Sequence, residues 1–206
     1  MNGLFLTFEG IDGCGKTTLA TRVARRLRES GRRVVETREP GGTDIGRRIR
    51  TLVLERSEES VEDVTEVFLF AADRAQHVAQ LIRPALESGV DVVCDRFSDS
   101  SVAYQGFGRG GDVDALIGLQ KLATQGLEPD LTVLVDLDTE AAQERGGPAS
   151  DRIEDGGPAF YTRVREGFLN LSRRFPERFL VVDGTRSEVA LEGEVYEEVC
   201  RRLEKS

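Results

Sequence analysis

The stretch "FEGIDGCGKTTLATRV", residues 8–23, decides the reading of this chain. Gly10, Gly15, Lys16 and Thr17 fill the pattern G-x-x-x-x-G-K-[ST], preceded by an apolar run and followed by helical spacing at Leu19, Val23, Ala24 and Leu27. Strand, glycine-rich turn and helix in that order make a phosphate-binding loop of the Walker A type: backbone N–H groups wrap around an anion while the helix N-terminus adds its dipole. The loop Gly10, Ile11, Asp12, Gly13, Cys14, Gly15, Lys16, Thr17 and Thr18 is therefore the expected cradle for a nucleotide's phosphate chain. Lys16 would reach the β and γ phosphates, and Thr17 would offer its hydroxyl to Mg²⁺.

Around this motif, five short apolar runs recur between longer amphipathic stretches: "LFLTF" at 4–8, "RVVET" at 33–37, "VDVVCD" at 90–95, "LTVLVDL" at 131–137 and "RFLVVD" at 178–183. Each has the continuous character of a strand covered on both faces. Strands alternating with helices predict an α/β fold, a five-stranded parallel sheet with helices on both sides. In such sheets ligands sit beyond the carboxyl ends of the strands, so the residues that follow strands carry the chemistry. Arg38, Arg50 and Arg96 stand at or shortly beyond strand ends, where planar guanidinium groups suit a second phosphate. Asp95 is placed to share Mg²⁺ with Thr17.

The 206 residues suffice for one sizeable core, and no Pro-, Ser- or Gly-rich linker divides them, so one domain over 1–206 is expected. A net charge of -9 argues against broad attraction to nucleic acid or an anionic membrane, leaving any anionic ligand to local arginines and amides. Three scattered cysteines, Cys14, Cys94 and Cys200, predict free thiols rather than a disulfide framework or zinc site. The opening "MNGLFLTFEG" has no basic leader and no run approaches transmembrane length, which predicts a soluble cytoplasmic protein. The loop alone leaves GTPase, ATPase and kinase open. The only asparagines, Asn2 and Asn170, supply no guanine-reading N-K-x-D, which weakens the first. The single histidine, His77, is expected to be structural and partly exposed.

"FEGIDGCGKTT", "TREPGGT", "FLFAADRAQHV", "DRFSDSSVAYQG" and "DRIE" occur in an order and spacing that resembles the thymidylate kinases, P-loop enzymes that phosphorylate dTMP to dTDP with ATP. The resemblance runs from Leu4 to about Asp183. It implies Mg²⁺-ATP and dTMP as ligands and a homodimer, with Val64, Val67, Phe68 and Ala71 as a candidate pairing stripe. By the same resemblance Phe70 stacks on thymine, Arg74 donates to O4, Arg50 and Arg96 clamp the substrate phosphate, and Ser100, Ser101 and Gln105 line the base edge. Tyr104 lies beside the sugar C2′, and Asp12 holds the 3′-hydroxyl and phosphate geometry. Pro40 sits in a sharply bent segment with a cis bond after Glu39. Where relatives carry an arginine in the phosphate loop, this chain has Gly13 and Cys14, so extra positive charge is expected from a lid at about 144–157. Arg152 is the expected transition-state contact and Arg145 the ATP contact. The alternatives are a kinase for another monophosphate or a deoxynucleoside, or a P-loop module that hydrolyses ATP to control a partner.

Overall fold

The computed structural model describes residues 3–146 and 151–204. The five strands are β1 (Phe5–Glu9), β2 (Val34–Arg38), β3 (Asp91–Asp95), β4 (Leu131–Asp136) and β5 (Phe179–Asp183). Their nine helices are α1 (Lys16–Glu29), α2 (Asp44–Leu54), α3 (Asp63–His77), α4 (Arg83–Glu87), α5 (Ser98–Ser101), α6 (Val113–Ala123), α7 (Thr139–Gly146), α8 (Gly157–Arg174) and α9 (Glu188–Leu203), among the described residues. All strand pairs are parallel, in the order β2-β3-β1-β4-β5. The chain runs from β1 outward to β2 and from β3 across to β4. The crevice beyond β1 and β3 is therefore the switch point at which such sheets bind ligands, and Phe8 lies in register with Asp95 there.

The expectation of strands covered on both faces holds for β1, β3 and β4, whose apolar residues are buried, and fails at the edges. In β2, Glu36 and Arg38 are exposed, and in β5 Val181 is 43% exposed. An edge strand has one neighbour instead of two, and its polar or exposed positions limit further strand pairing. The predicted helical spacing is met in α1, which buries Leu19, Val23, Ala24 and Leu27. Three of the described helix starts carry side-chain caps: Thr43 accepts from Gly46 N at the start of α2, Asp112 accepts from Asp114 N and Ala115 N at the start of α6, and Ser187 accepts from Ala190 N at the start of α9.

Two π-helical segments, Val78–Ile82 between α3 and α4 and Val102–Gly108 after α5, were not legible in the periodicity. Such segments cluster at functional sites. The second carries the successive residues Tyr104 and Gln105, both on one cavity wall. Cys14, Cys94 and Cys200 are free thiols. No helix among the described residues is long and apolar enough to cross a membrane.

Candidate active site

The phosphate loop turns on glycines. Gly13 has φ 81° and approaches α7 so closely that a Cβ would lie 2.1 Å from Ala142 O; Gly15, at φ 94°, is the residue before α1. No side chain among the described residues caps α1, which leaves its N-terminus open to an external anion. Lys16 is buried, its Nζ 3.3 Å from Ile11 O and 3.5 Å from Asp12. The Thr17 hydroxyl donates to Asp95 Oδ2 at 2.5 Å, and the other Asp95 oxygen is buried with no partner among the described residues.

Asp12 organises the far side of the loop. Arg96 Nη2 donates to Oδ1 at 2.5 Å, while Tyr104 (2.8 Å) and Tyr161 (3.3 Å) donate their hydroxyl protons to Oδ2. Burial would raise the Asp12 carboxyl, but the charges of Arg96 and Lys16 outweigh it and hold the group well below the usual carboxylate range. Arg96 also donates to Gly10 O and Ser100 Oγ, each at 3.0 Å. Its φ of 69° is unusual for a residue with a side chain. Glu9 explains how that turn is held: it accepts from Phe97 N at 2.8 Å, Ser100 N at 3.3 Å and Ser100 Oγ at 2.6 Å. Burial, and then the nearby Asp99, push the Glu9 carboxyl up to about 7.

Two cavities meet at this loop. One, about 590 Å³, is lined by Gly13 to Leu19, Arg145, Gly184, Arg186 and Ser187. Arg145 donates to Gly184 O at 2.9 Å. The other, about 250 Å³, brings together Asp12, Arg38, Pro40, Arg50, Phe70, Arg74, Asp95, Arg96, Ser100, Ser101, Tyr104 and Gln105 from distant segments. Lys16 and Thr17 line both. In the second cavity burial, then the charge of Arg38 and later that of Arg96, lower the Arg50 guanidinium, with Asp151 opposing. An anion between them would relieve that repulsion.

Arg74 is placed otherwise than a simple base reader. It is 2% exposed, its Nε bonds Glu39 at 2.7 Å, and its Nη atoms bond Ser101 Oγ (2.9 Å), Gln120 and Phe97 O (2.9 Å). A contact to a base would exchange one of these. His77 is fully buried rather than partly exposed, because both ring nitrogens have partners: Glu39 at 2.9 Å and Thr37 at 2.7 Å. The Glu39–Pro40 peptide is cis. Of the expected lid at 144–157, residues 147–150 lie outside the described residues. Arg152 lines neither cavity; it donates to Glu66 at 2.6 Å and to Val53 O at 2.9 Å. In the expected pairing stripe Val64 and Phe68 are 67% and 60% exposed, whereas Ala71 is buried. Sequence reading missed Glu9, Glu39, Glu66 and Tyr161 as parts of the site. Glu9 and Glu39 stand at strand ends, which is the one signal available; nothing local marks Glu66 or Tyr161.

A P-loop NTPase fold whose phosphate loop is shared by two facing cavities, the second lined by arginines, defines a phosphotransferase of the nucleotide kinase class. Within that class the chain belongs to the thymidylate kinase family, whose model, described as thymidylate kinase, matches residues 8–195. It is 48% identical over 204 residues to the thymidylate kinase of Deinococcus radiodurans, covering 97% of this chain and 98% of that one. It is also 48% identical over 198 residues to that of Desulfosudis oleivorans, with 91% and 92% covered. The crystal structure of thymidylate kinase from Ehrlichia chaffeensis superposes with a TM-score of 0.79 at 33% identity, covering 97% of this chain and 99% of that one.

Proposed function

We propose that the protein transfers the γ phosphate of ATP to dTMP, giving dTDP and ADP. The observation that carries this reading is the pair Lys16 and Thr17, which line both cavities: an anion held on one side faces an anion held on the other across the same cation. A phosphate oxygen of dTMP attacks the γ phosphorus as its bond to the β-bridging oxygen breaks, so the work left to the protein is alignment and charge neutralisation. Gly13, Cys14, Gly15 and Thr18 cradle the donor phosphates, with Gly10 and Ile11 shaping the loop's entry and Arg145 beside the donor's remaining part. Lys16 neutralises the transferring group. Arg38, Arg50 and Arg96 hold the acceptor phosphate, and Asp12 keeps Arg96 and the Tyr104 hydroxyl in register. Phe70 offers its ring to the base, with Ser100, Ser101 and Gln105 around its edge. A transition-state contact from Arg152 requires it to leave Glu66 and Val53 O.

The donor set fits Mg²⁺: a hydroxyl, Thr17, beside a carboxylate with an unpartnered oxygen, Asp95, is the sparse protein contribution that this ion accepts when phosphates and waters complete its shell. The ion supplies charge neutralisation at the β and γ phosphate oxygens when bound. A coupled assay against a panel of nucleoside monophosphates tests the reading: dTMP-dependent ADP release is expected, and slow ATP loss without acceptor dependence would overturn it.

We propose as well that the protein is a cytoplasmic homodimer. The packed α2–α3 pair leaves Ile45, Leu52, Val64 and Phe68 exposed, an apolar face suited to a second copy. Light scattering on the purified protein should give twice the chain mass, and Phe68→Glu should give the monomer.

A further inference from the structure

Glu66 lies in the middle of α3 with no exposed surface, and it lines neither cavity. Its two oxygens gather side chains from three other segments. Oε1 accepts from Gln105 Nε2 at 2.8 Å and Arg109 Nε at 2.9 Å; Oε2 accepts from Arg109 Nη2 at 3.0 Å and Arg152 Nη2 at 2.6 Å. A carboxylate only accepts, so the Gln105 amide must turn its nitrogen to Glu66 and its oxygen away. That oxygen is buried and has no partner among the described residues, although Gln105 lines the acceptor cavity and is only 4% exposed. A buried amide oxygen without a donor is costly, and a donor on a ligand in the adjoining cavity would complete it.

We propose, resting on the dTMP reading above, that Glu66 is a positioning residue for base specificity: it locks the Gln105 amide so that Oε1 accepts the N3–H of a thymine-type ring. Cytosine presents a lone pair at N3, which would face the amide oxygen acceptor to acceptor. The bidentate Arg109 contact holds the carboxylate still, so the amide has no route to flip while Glu66 keeps both oxygens. The lid-side residues Asp151 and Ile153, which line the same cavity, flank the Arg152 that shares this carboxylate.

Glu66→Gln tests the lock. Its remaining oxygen keeps Arg109 Nη2 and Arg152 Nη2 at the cost of the Arg109 Nε bond, and its new N–H₂ group faces Gln105, which answers by turning its own oxygen inward and its nitrogen to the cavity. The kcat/KM for dTMP should fall about tenfold while that for dCMP holds or rises, so the dTMP to dCMP ratio contracts by about tenfold or more. Equal losses on both substrates, in a variant with the wild-type circular dichroism spectrum, would overturn the proposal. Gln105→Leu removes the acceptor itself and decides the matter if Glu66→Gln does not fold: dTMP should lose and dCMP should not, and parallel losses overturn it. Wild-type protein inactive on dTMP would sink the parent reading and this one together, whereas normal dTMP turnover with an unchanged ratio in both variants would sink this one alone.

Discussion

The proposed donor and acceptor sides of the site are built in opposite ways. The phosphate loop is nine consecutive residues, 10–18, whose anion-holding groups are largely backbone amides and one lysine, so its function needs little from the rest of the chain beyond a strand before it and a helix after it. The acceptor cavity draws on segments near residues 38, 50, 70, 96–105 and 151, and its side chains are wired into the core through buried carboxylates: Glu9 under the Arg96 turn, Glu39 between Arg74 and His77, Glu66 behind Gln105. Lys16, with few bonds to the rest of the fold, should then affect turnover without stability, and the wired acceptor residues should affect both.

The sharpest break is Lys16→Met. We expect kcat to fall on the order of a thousandfold, since the cation that lines both cavities is lost. The melting temperature should stay near wild type, because among the described residues Lys16 bonds only Ile11 O and, weakly, Asp12. Turnover at the wild-type rate in the folded variant would remove the loop from the chemistry.

Arg74→Gln is the counterpart on the acceptor side. It strips the guanidinium from Glu39, which is 3% exposed, and breaking a buried pair from one side costs about 3–5 kcal/mol. Activity on dTMP should fall and the dTMP to dCMP ratio narrow, with the stability loss measured by urea unfolding. Full stability would cut Arg74 out of the core and leave it a base contact alone.

Gly42→Ala probes the same network without touching a charge. A Cβ there would meet the His77 ring at 2.4 Å from Nε2, and that ring is pinned by Thr37 and Glu39. The expected destabilisation is roughly 1–3 kcal/mol, visible as a lowered melting temperature. An unchanged value would mean that the imidazole is not fixed where the Thr37 and Glu39 contacts place it.

The smallest effect is a pH slope. Glu9 is raised from its ordinary value of 4.5 to about 7 by burial, so its protonated form is the one that the fold favours. That contribution to stability is complete below pH 4.5 and is lost as pH rises to about 7. Glu9→Gln keeps a neutral group at all pH values, so its melting temperature relative to wild type should improve from pH 5 to about pH 7 and level off above it. Asp73, raised to about 6 chiefly by burial, is present in both proteins and cancels in the difference. A flat difference would show that Glu9 titrates like an exposed carboxyl.

What could be read from residues 8–23 follows from locality: a motif that works through its own backbone is complete in its own sequence, and five apolar runs spaced by helices leave few alternatives to a parallel sheet. The acceptor residues could be placed as candidates by their positions after strands and by resemblance, but not their wiring. His77 was expected to be structural but partly exposed because one residue's neighbours in sequence say nothing about Thr37 and Glu39, about 40 positions away in the chain. Arg74 and Arg152 carry charges that sequence can count, and only the tertiary structure decides whether each faces a ligand or a buried carboxylate. A carboxylate buried against two guanidinium groups and an amide, as Glu66 is, has no local signature, because burial is a property of what the rest of the chain packs around it.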